Sequence, residues 1–139
     1  MREALRSGSL AGIAMIPFAA VFRARGLRIN EYGRKTLELV VGQVPPRLHD
    51  ALTFVQHLVI SWILAVPLLL VLRGVEDRRR AALLGMAYGA AMYALLNAWA
   101  LPLAFGDPAP WRLGFDVAYP SLVVHLVYGA VLGWLATKR

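Results

Sequence analysis

Residues 81–105 read AALLGMAYGAAMYALLNAWALPLAF, 25 positions without an aspartate, glutamate, lysine or arginine. At 1.5 Å per residue such a helix is about 37 Å long, and a bilayer core about 30 Å thick needs about 20 predominantly apolar residues to cross it. The stretch therefore predicts a transmembrane helix. Ala51–Leu72 and Val117–Ala136 are equally free of those charges, as is the shorter Ser7–Phe22. The whole chain of 139 residues is 59% hydrophobic with a mean hydropathy of +0.58. Soluble domains are about 45–50% apolar, so a water-soluble core does not account for this composition. The expectation is an all-α polytopic membrane protein, one transmembrane domain over residues 1–139, with spans at about 7–22, 51–72, 81–105 and 117–136.

Within these spans the pattern Gly-x-x-x-Gly-x-x-Met occurs twice, at Gly8, Gly12, Met15 and at Gly85, Gly89, Met92. One apolar segment after each copy comes His-Leu-Val, at His57–Val59 and at His125–Val127. A duplicated two-helix unit explains both. Each unit returns the chain to its starting side, so the two copies are parallel repeats related by an axis along the membrane normal. Arg2 and Arg6 before the first segment and Ala19-Ala20 near its end resemble a leader peptide. The recurrence of Gly8, Gly12 and Met15 in a later helix favours a permanent helix instead. Glycines four apart make a flat face on which another backbone packs closely. Gly8/Gly12, Gly85/Gly89 and Gly129/Gly133 are such pairs, serving contacts within the bundle or between copies in a homo-oligomer.

The net charge of +7 lies outside the spans. Basic loops are the ordinary flanks of membrane helices, and no soluble module remains to bind nucleic acid. Four spans put both termini on one side, with eight basic residues there (Lys138 and Arg139 included) against seven on the other. The compact Arg73–Arg80 turn favours cytoplasmic termini. In the long Arg23–Asp50 connection, Leu37, Val40, Val41 and Val44 fall at helical spacing opposite Arg34, Lys35, Glu38 and Gln43. This predicts an amphipathic helix over about 30–44 at the membrane surface, stopped by Pro45-Pro46. It would cap the bundle, contact anionic membrane lipids or dock a protein partner.

Intramembrane polar residues are Gln56, His57, Ser61, Asn97, Ser121 and His125. A polar side chain at this depth normally turns to the bundle interior and finds a partner. Three readings of His57 and His125 stay open. They hold helices together by hydrogen bonds. They ligate a b-type haem between the second and fourth spans, with Ser61 and Gly129 leaving room for the macrocycle. Or they line a proton or solute path, which in the absence of an intramembrane carboxylate would need an oligomeric channel or transporter. Ser61 with His57, and Ser121 with His125, are four apart on one helix face, but no carboxylate orients either histidine for nucleophilic catalysis. No catalytic residue is expected. His49 and Asp50 beside Arg47 do not make a metal site, and a chain without cysteine has no thiolate or disulfide chemistry.

From Ala81 onward the chain resembles small bacterial inner-membrane proteins of the YagU-like type. The resemblance lies in Gly85-x-x-x-Gly89, the polar break at Asn97, Leu101-Pro102-Leu103, a proline-rich turn, and His125-Leu126-Val127-Tyr128-Gly129-x-x-x-Gly133. It covers roughly the last 60 residues and, more loosely, Gly8–Met15. In that family a glycine-rich stretch follows the first histidine, where this chain has Val59-Ile60-Ser61-Trp62. The resemblance implies a multi-pass protein of the bacterial inner membrane with a loose association with acid tolerance. Together these readings lead to a non-enzymatic accessory or scaffold subunit, or a membrane-stress protein, with haem-binding electron transfer or an oligomeric channel as the alternatives.

Overall fold

The computed structural model describes residues 1–29 and 32–137. It contains α1 (Arg2–Ala24), α2 (Tyr32–Val41), α3 (Pro46–Val71), α4 (Arg78–Phe105), the single turn α5 (Pro110–Leu113) and α6 (Phe115–Ala136). No strand occurs among the described residues. α1, α3, α4 and α6 are the four helices long and apolar enough to cross a membrane. They extend beyond the uncharged runs because charged flanks such as Arg2-Glu3 and Arg78–Arg80 continue the same helices into the interfacial zone.

Local chemistry sets the ends. Pro46 stands at the first helical position of α3, where its missing N–H has no helical partner to lose. Asp77 caps α4, its carboxylate accepting from the Arg79 N–H at 2.8 Å and the Arg80 N–H at 3.5 Å. Such a cap is worth about 1 kcal/mol. Gly106, with φ +67°, ends α4. α2 ends earlier than residue 44 because Gly42 adopts φ +68° and donates its N–H to the Glu38 carbonyl at 2.9 Å, a left-handed stop. The expected start of α2 at residues 30 and 31 lies outside the described residues, as do Lys138 and Arg139.

The long helices alternate in direction. α1 lies against both α3 and α6, and α4 lies against α6. Gly8 faces Ser61 and Ala65 of α3, and Gly12 faces Ser61 and His57. Gly85 faces Gly129 and Gly133 of α6, and Gly89 faces His125. The α4–α6 contact is the closer one. A Cβ placed on Gly85 or on Gly129 would overlap the other's carbonyl oxygen, whereas one on Gly8 would stand 3.0 Å from the Ser61 carbonyl. Small residues dominate the core, with Ala4, Ala11, Ala65 and Ala81 around Leu68, Leu132 and Tyr128. The outward faces carry Ile63, Leu83, Trp99 and Leu103, all well exposed. Small residues between helices and large apolar ones outside are the pattern of membrane packing, where the hydrophobic effect does not drive helices together.

α4 carries a π-helical segment, Tyr93–Ala100, directly before Leu101-Pro102. Pro102 has no N–H for the carbonyl four residues back, so the regular ladder is already broken there.

On the side opposite the termini, the connections are tied together. Arg28 donates its backbone N–H to the Asp116 carbonyl at 3.1 Å and pairs its guanidinium with the Asp116 carboxylate at 3.1 Å. Tyr32 stacks on Phe105 with ring centroids 5.6 Å apart, and Lys35 sits over both rings while pairing with Asp107. Burial first, then the Asp107 carboxylate, push the Tyr32 phenol up to about 12. From the other flank Gln56 of α3 donates to Thr36 at 2.7 Å. α2 is thereby fastened to α3 at one edge and to the end of α4 at the other.

Candidate functional site

The polar residues of the spans fall into two groups, one in each helix pair. His57 projects from α3 across to α1, where its Nε2 donates to the Gly12 carbonyl at 3.0 Å. The missing side chain at Gly12 makes room for this approach. One turn on, Ser61 donates its hydroxyl to the His57 carbonyl at 2.7 Å. Ser9 of the same face of α1 accepts from the Trp62 indole N–H at 2.8 Å.

His125 lies between α6 and α4. Its Nδ1 donates to the Ser121 carbonyl at 2.7 Å, and its Nε2 accepts from the Asn97 amide at 2.9 Å. Asn97 belongs to the π-helical segment, as does Tyr93, whose ring meets the imidazole edge-on at 5.7 Å. The wide turn of α4 therefore carries two side chains that contact His125. Widened turns of this kind recur at functional sites.

Two tyrosines link the groups. Tyr128 of α6 donates to the Ser61 carbonyl at 2.6 Å, and Tyr88 of α4 donates to the Leu64 carbonyl at 2.7 Å. Tyr88, Tyr93 and Ser9 do not stand out in the sequence, and Tyr128 enters it only within the His125–Gly133 motif. Tyrosine in an apolar span reads as a large apolar residue, and its hydroxyl is a signal only once a carbonyl within reach is known.

The six polar residues named from the sequence do not converge on one point. His125, Asn97 and Ser121 come together between α4 and α6, and His57 and Ser61 come together at α1. Gln56 turns outward to α2, where its Nε2 meets Thr36 and its buried Oε1 has no hydrogen-bond partner among the described residues. The i, i+4 serine–histidine pairs form no dyad: the Ser61 hydroxyl bonds a carbonyl, and His125 bonds the Ser121 carbonyl. The space beside Gly129 is filled by the Gly85 backbone. His49 stands with Thr53 and Glu38, not with Asp50 or Arg47: its Nδ1 is 3.4 Å from the Thr53 hydroxyl and its Nε2 is 3.5 Å from a Glu38 carboxylate oxygen. No cluster of three metal-ligating side chains occurs among the described residues.

Comparison with protein-family models, with curated proteins and with solved structures finds no match for this chain.

Proposed function

We propose that the protein is a non-enzymatic integral membrane protein, built of two parallel two-helix repeats and acting as an accessory or scaffold subunit of a bacterial inner membrane. The observation that carries this is the commitment of its intramembrane histidines to helix contacts. His57 spends its Nε2 on the α1 backbone, and both nitrogens of His125 are engaged by Ser121 and Asn97. Interhelical bonds of this kind contribute about 0.6 kcal/mol each in a membrane and fix register.

The repeat reading is supported by matching contacts. Gly8 and Gly12 lie on Ser61, Ala65 and His57, while Gly85 and Gly89 lie on Gly129, Gly133 and His125. Those partners occupy corresponding positions along α3 and α6, and the second half has glycines where the first has serine and alanine. The YagU-like resemblance belongs to this proposal, since it rests on the same glycines and on His125. So does the placement of α2 at the membrane surface. Its exposed Leu39 and Val40 suit an interfacial helix. The cytoplasmic placement of the termini is likewise part of the proposal and is supported by the compact basic Arg73–Arg80 turn.

The test is to replace the histidines in purified protein. His57→Ala with His125→Ala should lower unfolding stability in detergent by about 1 kcal/mol. It should leave a spectrum without a Soret band and liposomes no more permeable to protons or potassium than empty ones. A Soret band lost in the double variant, or a flux that needs either histidine, would replace the scaffold reading with the haem or channel reading.

A further inference from the structure

A cleft of about 510 Å³ lies between α2 and the first turn of α3, open to the outside and lined by Arg34, Glu38, Gln43, Pro46 and His49 among others. Three features of it are independent. The side chain of His49 is only 7% exposed, yet its buried Nε2 makes no hydrogen bond among the described residues. α3 begins here without a side-chain cap, so the positive end of its dipole stands at the cleft, although Pro46 has no N–H and the His49 N–H is donated to the Pro45 carbonyl at 2.9 Å. Val44 and Pro46 give the same cleft an apolar wall.

Two chemistries compete for such a place. His49 and Glu38 could be two ligands of a divalent cation, with their nitrogen and oxygen 3.5 Å apart. Two protein ligands fall short of the three or four that hold zinc, and Arg34 in the same cleft repels a cation. An anion gains from Arg34, from the imidazole, from the Gln43 amide and from the helix terminus, with the Glu38 carboxylate in the lining opposed. The apolar shoulder beside these groups has no use for a soluble ion. It suits a molecule with a charged head and a hydrocarbon tail, which a bilayer supplies at the depth where a spanning helix begins.

We propose that this cleft binds the phosphate headgroup of an anionic phospholipid, with Arg34, His49 and the positive end of the α3 dipole holding the phosphate and Val44 and Pro46 lying against the acyl chains. The inference rests on the reading that the four long helices cross a bilayer.

The experiment titrates phosphatidylglycerol into the full chain held in phosphatidylcholine nanodiscs, reading bound lipid by native mass spectrometry and midpoint temperature by thermal unfolding. Phosphatidylglycerol should bind and raise the midpoint where further phosphatidylcholine does not. Arg34→Gln and His49→Gln should each weaken binding about fivefold, the share of one basic contact near a membrane. Glu38→Gln should tighten it by a similar factor, and Arg112→Gln, an exposed arginine on α5, should leave it unchanged. Arg34 is exposed and outside the core, so its variant stays informative if His49→Gln fails to fold. Equal weakening by Arg112→Gln would reduce the effect to general surface charge and overturn the site. Weakening by Glu38→Gln would overturn it in favour of the cation geometry. The same stabilisation by inorganic phosphate would overturn the lipid as occupant. A chain that enters nanodiscs but shows no preference for phosphatidylglycerol defeats this inference alone; a chain that does not enter them defeats the membrane-spanning reading as well.

Discussion

Gly85 and Gly129 face each other across α4 and α6 so closely that each occupies the place of the other's side chain. An alanine at either site must push backbone against backbone, and overpacking of this kind costs about 1–3 kcal/mol. Gly12 meets a different obstacle, the Ser61 hydroxyl at 2.6 Å, which can rotate away. Gly85→Ala and Gly129→Ala should therefore each lower unfolding stability in detergent clearly more than Gly12→Ala does. Equal losses at all three positions would contradict the closer α4–α6 contact. The i, i+4 glycine spacing was legible in the sequence because a flat helix face needs no partner to be recognised. That the first pair meets Ser61 and Ala65 while the second meets glycines was not, because spacing on one helix carries no information about the facing one. The same holds for the histidines. The shared His-Leu-Val triplet is readable in the sequence, whereas their partners, the Gly12 carbonyl and the Asn97 amide, depend on how the helices cross.

At the scale of elements, the four long helices followed from uncharged runs, since length and hydropathy are local properties. The end of α2 was misread because Val44 continued the apolar spacing past Gly42, and the left-handed glycine outweighed the spacing. The π-helical segment had no clear signature beyond Asn97 and Pro102 lying five apart. α2 is also where pH enters. With its phenol raised to about 12 from the usual 10, Tyr32 favours the docked state fully below about pH 10 and loses that contribution as pH rises through 12. The chain lacks cysteine, so a spin label at Leu39→Cys is specific. Its motion should stay restrained up to about pH 10 and increase toward 12, with a smaller response when Tyr32→Phe is added. A label that responds identically in both backgrounds would remove Tyr32 from the docking of α2.

Across the molecule the long helices pack in the order α4, α6, α1, α3: α6 lies most extensively on α4, and α1 lies on α6 at least as extensively as on α3. α3 and α4 meet through the Tyr88 hydroxyl, and α2 braces the far end of that seam from Thr36 and Lys35. The halves are alike in glycine placement and unlike in how each histidine uses its ring. A carbonyl oxygen only accepts, so His57 carries its proton on Nε2, facing Gly12, while His125 carries one on Nδ1, facing Ser121, and leaves Nε2 to the Asn97 amide. The two rings are opposite tautomers of one side chain. Nitrogen resonance in labelled protein separates those tautomers by which ring nitrogen bears hydrogen, so His57 and His125 should give inverted pairs of signals. Each half of the protein thus carries its own native spectroscopic label, and a rearrangement in one helix pair can be followed without disturbing the other.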